Sequence, residues 1–205
     1  MNRAIKYNKM VKERKDDELG LFEKYEDILQ DVRKYILENN AYTIIDIGCG
    51  TGNLCGPISD KINVIGIDKN EEILGYVKNK YKNMNVRLGS FLDEPIDKNY
   101  ADIVVTTFAF HGLNDNEKKI AIKNMMDYLK SKGKIIIVDF MFKNEEEREQ
   151  YHNKFIKDNR LDLWETISRK YYSNVEKLEC YLNNLNVKVK SNHIINFTWI
   201  MEICL

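Results

Sequence analysis

The hydrophobic positions along this chain switch repeatedly between a helical and a strand-like period. Residues 22–38 set Phe22, Tyr25, Ile28, Leu29, Val32 and Ile36 at helical spacing, which predicts a helix with one apolar face. Residues 43–47 and 63–67 are short, β-branched apolar runs and read as strands. Between them a helix-like stretch begins near Asn53, and a further helix opens at Asn70, whose side chain can cap the amides of Glu72 and Ile73. Strands follow near 85–88 and over 102–107, the latter continuously apolar at its centre, as in a parallel strand covered on both faces. Asn114 and Glu117 have capping-box spacing for a helix running to about residue 129. Gly133 ends that helix, and a strand occupies 134–140.

Beyond Phe142 the alternation is interrupted. Residues 144–159 are strongly charged with a helical pattern, and 161–170 predict another helix containing Trp164. Ser173 and Glu176 form a second capping-box pair, opening a helix to about residue 184. The chain finishes with two β-like runs, 187–195 and 197–203, whose connection is too short for a crossover helix, so they pair antiparallel. The pattern predicts one α/β domain over 1–205: a doubly wound, mostly parallel sheet carrying a helical insertion at 144–172.

The first strand runs into Asp46-Ile47-Gly48-Cys49-Gly50-Thr51-Gly52, and the second ends on Asp68. In an open α/β sheet this arrangement sets a glycine loop and an acid side by side at the carboxyl ends of neighbouring strands, where nucleoside ligands bind. Glycine lets the backbone turn sharply and approach a ligand without a Cβ in the way. One ionised carboxylate can accept hydrogen bonds from both hydroxyls of a ribose. A dinucleotide fingerprint needs its third glycine one residue later than Gly52, where this chain has Asn53.

The segment instead resembles the D-x-G-x-G-x-G loop of class I S-adenosylmethionine-dependent methyltransferases, and the resemblance extends from about residue 22 to the C-terminus. It implies a seven-strand sheet whose last strand is inserted antiparallel, and S-adenosyl-L-methionine as cofactor. By this resemblance Asp46 lies near the ammonium end of the methionine moiety, while Gly48, Cys49, Gly50 and Gly52 form the loop. Asp68 takes the ribose, and Lys69 or Phe91 covers the adenine. Where family members often carry an acid for the adenine amino group, this chain has Ser90. Asp93 either substitutes for that acid or is a solvated loop residue. Thr106, Thr107 and Phe108 fall beneath the methionine moiety. His111 is the histidine placed nearest the transferring methyl, as a general base or as a residue that hydrogen-bonds the pocket wall. Tyr151, Trp164, Tyr171 and Tyr172 are either core or roof the acceptor.

Composition narrows the reading. Lys+Arg and Asp+Glu both number 32, so no net field attracts nucleic acid or acidic lipid. The Asn/Asp-Pro-Pro-aromatic loop that accompanies methylation of exocyclic nucleic-acid amines is absent, since Thr107-Phe108-Ala109 stands there and the only prolines are Pro57 and Pro95. A small-molecule methyl acceptor is therefore expected, with no nucleic acid or membrane partner and a homodimer as the assembly. The alternative is a non-catalytic S-adenosylmethionine-binding regulatory module. Residues 3–18 are charged and lack a signal-peptide core, so a cytoplasmic location is expected. Residues 1–21 are expected to form an arm covering the site, with Tyr7 best able to fold onto a ligand. Cys49, Cys55, Cys180 and Cys204 lack metal-ligand spacing, and no metal is expected.

Overall fold

The structure is a computed structural model that describes residues 3–14, 17–93 and 96–205; of the segments named above, parts of the 1–21 arm, and Pro95, lie outside the described residues. Parallel strands β1 (Thr43–Ile47), β2 (Asn63–Asp68), β3 (Asn85–Leu88), β4 (Ala101–Thr107) and β5 (Leu129–Phe142) carry the core. A two-residue strand β6 (Ser173–Asn174) pairs with β5, and β7 (Lys188–Ile195) and β8 (Thr198–Cys204) close the sheet. The main path runs β3-β2-β1-β4-β5-β8-β7, with β8 antiparallel to both its neighbours. This is the seven-strand, doubly wound arrangement expected, with β6 as an addition.

Both faces of the sheet are covered, so every residue of β1 is buried. On one face lie α2 (Tyr25–Glu38), through Ile28, Leu29, Val32 and Ile36, and α3 (Glu71–Lys80), through Leu74 and Val77. On the other lie α4 (Asp115–Tyr128) and α7 (Val175–Asn183). Burial of these apolar faces supplies the main driving force for the fold. The insertion forms α5 (Glu145–Lys157) and α6 (Leu161–Ser168), which pack Phe155 and Ile167 on an aromatic cluster of Phe140, Phe142 and Phe197. Tyr151, Trp164 and Tyr172 join that cluster, whereas Tyr171 is exposed.

Three local expectations change, and the arm gains a definite element. The arm contains a helix, α1 (Arg3–Glu13), that buries Ala4 and Val11. After the glycine loop the chain forms turns and a short 3-10 segment, Gly56–Ile58, in place of a helix at Asn53, because Asn53 turns inward to hydrogen-bond Asn8. Helix α4 ends at Tyr128, its capping box intact, and β5 starts at once, so Gly133 falls inside the strand where the register with β4 shifts. Helix α7 is capped by Asn174, which accepts from the Lys177 amide, and Ser173 is instead taken up in β6. Glu176 is drawn away to accept a hydrogen bond from Asn144 at 3.0 Å.

Candidate active site

A cavity of about 660 Å³ opens at the carboxyl ends of β1, β2 and β4. Gly48, Cys49, Gly50, Asp68, Lys69, Ser90, Phe91, Thr107 and Phe108 all line it. The loop after β1 is held by local bonds: the Gly48 and Cys49 amides donate to the Ile67 carbonyl at 2.8 and 3.0 Å. Gly48, Gly50 and Gly52 have φ of 71°, 51° and 72°, the left-handed region that only glycine enters cheaply. A Cβ on Gly48 would lie 2.5 Å from that of Ala109, so this residue also lets the β1 and β4 loops touch. Gly52 faces Tyr81 and Val77, and does not line the cavity.

Asp68 is fixed by backbone donors. Its Oδ2 accepts from the Gly50 amide at 3.0 Å and its Oδ1 from the Asn70 amide at 2.9 Å. Each carboxylate oxygen keeps a further lone pair. The neighbouring Asn70 caps α3 by accepting from Ile73, so the helix start and the acid are set together. At the β3 end the Ser90 hydroxyl donates to Asp93 at 2.7 Å, so the loop does curl Asp93 back, although Asp93 stays outside the cavity lining.

Asp46 lies behind the loop, 1% exposed and outside the cavity lining. Among the described residues neither carboxylate oxygen has an N–H or O–H partner, and the nearby Cys55 thiol is a weak donor. Burial pushes this carboxyl up to about 7, with the Asp68 charge adding to the rise. An orphaned buried acid beside a glycine cradle fits a ligand that brings positive charge.

His111 follows β4, between lining residues Ala109 and Gly112, without itself lining the cavity, and its Nδ1 faces Asp139. Asp139, 1% exposed near the end of β5, meets His111 Nδ1 at 2.6 Å and accepts from the His111 and Phe140 amides at 2.8 and 2.7 Å. With Nδ1–H turned to the carboxylate, Nε2 is the basic nitrogen, and it has no hydrogen-bond partner among the described residues. Asp139 escaped the sequence reading, although an acid inside the apolar run 134–140 is the same signal that marked Asp46.

Two tyrosines from outside the sheet complete the lining. Tyr7 of α1 and Tyr25 of α2 both line the cavity. Tyr25 had been read only as one more apolar position of its helix. Asn8 ties α1 down: its Oδ1 accepts from Thr51 at 2.8 Å and from Asn53 at 3.0 Å, and its Nδ2 donates to the Tyr76 hydroxyl at 3.3 Å. Phe108 has φ of 53°, which costs a non-glycine residue about 1–3 kcal/mol. Its amide donates to Val138 at 2.8 Å, and its ring packs on Tyr25 and Phe140 with centroids 5.3 and 5.2 Å away. Of the remaining histidines, His152 stacks on Trp164 and His193 pairs with the Asn196 carbonyl.

Fold and loop together define a class I methyltransferase, and comparison with known proteins agrees. A family model described as methyltransferase domain matches residues 44–133. The chain is 31% identical to an uncharacterized methyltransferase of Alkaliphilus oremlandii, covering 97% of this chain and 92% of that one. It is 34% identical to another from Staphylococcus carnosus, covering 78% and 77%. Among solved structures, magnesium protoporphyrin IX methyltransferase from Synechocystis with bound S-adenosylhomocysteine superposes with a TM-score of 0.67 at 14% identity, over 90% of this chain and 84% of that one. The chain belongs to the S-adenosylmethionine-dependent methyltransferases. It is thus an enzyme, and S-adenosylmethionine is its cofactor. Among the described residues no helix is long and apolar enough to cross a membrane.

The isolation of Asp46 has a measurable consequence. A carboxyl raised to about 7 in the fold and near 3.9 unfolded leaves the ligand-free protein unpenalised below about pH 4. The penalty grows as pH rises through that window and levels above it, reaching a few kcal/mol at about 1.4 kcal/mol per unit. Asp46→Asn should therefore gain stability relative to the parent between pH 4 and pH 8, read from urea midpoints without ligand. Parallel pH profiles for the two proteins would refute the isolated-acid assignment.

Proposed function

We propose that this methyltransferase acts on a small-molecule acceptor, and that the cofactor lies across the loop with its ribose at Asp68 and its methionine end toward β4. The observation that carries the reading is the walled cavity between the glycine loop and Phe108, roofed by Tyr7 and Tyr25. A small acceptor suits a cavity of about 660 Å³ that the cofactor must share, and a chain with 32 cationic and 32 acidic side chains offers no net attraction for a polyanion.

When bound, the cofactor supplies an activated methyl on a positively charged sulfonium. The protein's work is then positional. Gly48, Cys49 and Gly50 let the backbone approach closely, and Gly52 relieves crowding behind the loop. Asp68 offers its spare lone pairs to the ribose diol. Asp46 stands behind the loop on the ammonium side, where positive charge relieves its isolation. Lys69 and Phe91 flank the adenine, and the loop around Ser90 reads its edge. Thr107 and Phe108 floor the methionine end. Methyl transfer to a nucleophile demands in-line alignment, so the roof that Tyr7 and Tyr25 form counts for as much as any base. Where the acceptor has a proton to lose, His111 takes it at Nε2, with Asp139 holding the other nitrogen. The α1 helix acts as cover, while the α5–α6 insertion packs on the Phe140, Phe142 and Phe197 cluster behind the site.

Two hydrogen bonds to a ribose, each worth about 1.5–3 kcal/mol, are lost in Asp68→Ala. Affinity for S-adenosylhomocysteine should then fall about a hundredfold in calorimetric titration. A change under about threefold with circular dichroism intact would remove Asp68 from the ribose site.

Once a screen for S-adenosylhomocysteine release has found an acceptor, His111→Asn should lower turnover by about 10²-fold or more. Cofactor affinity should be nearly unchanged. A variant with full turnover would leave positioning to explain the catalysis alone.

Asn8 generates a third expectation, that Asn8→Ala speeds amide exchange in α1 of the ligand-free protein. S-adenosylhomocysteine should slow exchange in α1 of the parent. Exchange indifferent to both changes would make α1 a fixed structural arm.

A further inference from the structure

Methyl transfer breaks the S–CH3 bond, leaves the bonding pair on sulfur and turns a cation into a neutral thioether. We propose that Tyr7, Tyr25 and Phe108 form a charge-reading wall, which holds the cationic sulfonium of S-adenosylmethionine in preference to the neutral sulfur of S-adenosylhomocysteine. The inference rests on the cofactor orientation proposed above.

Several observations converge on these three rings. They come from α1, α2 and the end of β4, and all three line the same cavity. Phe108 and Tyr25 stand with centroids 5.3 Å apart and planes inclined by 31°, so they form a continuous aromatic surface. The Tyr7 and Tyr25 hydroxyls are neighbours, which joins the third ring to the other two. Phe108 holds a left-handed backbone at φ 53° that glycine would adopt without strain, yet an aromatic side chain is kept there. Aromatic faces carry negative quadrupole potential and attract cations that have left water.

The charges around the wall point the same way. Among the described lining residues Lys69 is the only Lys or Arg, and it adjoins Asp68 at the ribose end. Asp139 acts electrostatically on Tyr7, and Asp46 on Tyr25. Lys118 of α4, which feels the Asp139 charge, is occupied by the Tyr171 carbonyl and the Phe110 ring. A cation at this wall therefore meets π faces and carboxylates, and the one positive charge among the described lining residues, Lys69, belongs to the ribose end. Once sulfur becomes neutral, that part of the attraction is lost.

Calorimetric titration of the purified protein with S-adenosylmethionine and S-adenosylhomocysteine tests this without an acceptor. In Phe108→Leu and Tyr25→Leu, which keep apolar volume and lose the π face, the ratio of S-adenosylmethionine to S-adenosylhomocysteine affinity should fall by about five- to tenfold. The ratio is the readout, since affinity for both ligands can fall together, and Phe108→Tyr should keep the parent ratio. If either leucine variant fails to fold, Tyr7→Leu on the separate helix α1 decides, with an expected fall of about threefold or more. A ratio within twofold of the parent in the leucine variants that still bind S-adenosylhomocysteine would overturn the wall and leave the cofactor site standing. A parent protein that bound neither ligand would overturn the cofactor orientation and the wall with it.

Discussion

The structure depends on one tight meeting of backbone and carboxylate: the Gly50 amide donating to Asp68 at the carboxyl ends of β1 and β2. That bond forms only because Gly48, Gly50 and Gly52 accept positive φ, which bends the chain back over the end of the neighbouring strand. The same bend brings Gly48 against Ala109, so the loops after β1, β2 and β4 interlock. Side chains added there would push the β1 and β4 loops apart and spoil the cavity they enclose. The sheet supplies the platform on which this contact forms, and α2 reinforces it through Arg33, which donates to the Asn53 carbonyl at 2.9 Å.

Three carboxylates stand at the ends of core strands, and the fold treats each differently. Asp68 receives two amides, Asp139 receives two amides and an imidazole nitrogen, and Asp46 receives no N–H or O–H. Burial alone disfavours an ionised carboxyl, so only the first two are stabilised by the protein itself. An acid left unpartnered in a fully packed strand lowers the stability of the empty protein. It is the kind of local inconsistency that folds keep where a ligand completes the arrangement.

The sheet was legible in the sequence because its parallel strands are short β-branched runs bounded by turn residues, a pattern that buried strands cannot avoid. The loop was legible because positive φ forces glycine. What escaped was decided by tertiary contact. Asn53 favours a helix start by its place after the glycines, yet its side chain is claimed by Asn8, forty-five residues away. Ser173 has capping-box spacing, but Glu176 is taken by Asn144, and Asn174 becomes the cap. Tyr25 was hidden because a helix residue at apolar spacing looks the same whether its ring fills a core or faces a cavity. The direction of the His111 ring was not legible either, since the partner that turns it comes from a strand twenty-eight residues further on.

The clasp between α1 and the glycine loop couples the two halves of the site. Helix α1 buries Ala4 and Val11 and rests otherwise on Tyr7 and the Asn8 bonds, so its docking energy is small. Two of the three Asn8 partners, Thr51 and Asn53, belong to the loop that approaches the cofactor. Whatever orders that loop presents both partners in the position Asn8 needs, and therefore favours a docked α1. By linkage the reverse holds with the same free energy, so a docked α1 favours the ordered loop. Under the proposed function, because Tyr7 rides on the same helix, its ring is held over the cavity when that loop is ordered and loosens when it is not. On that reading one asparagine joins filling of the cofactor loop to closure over the second substrate.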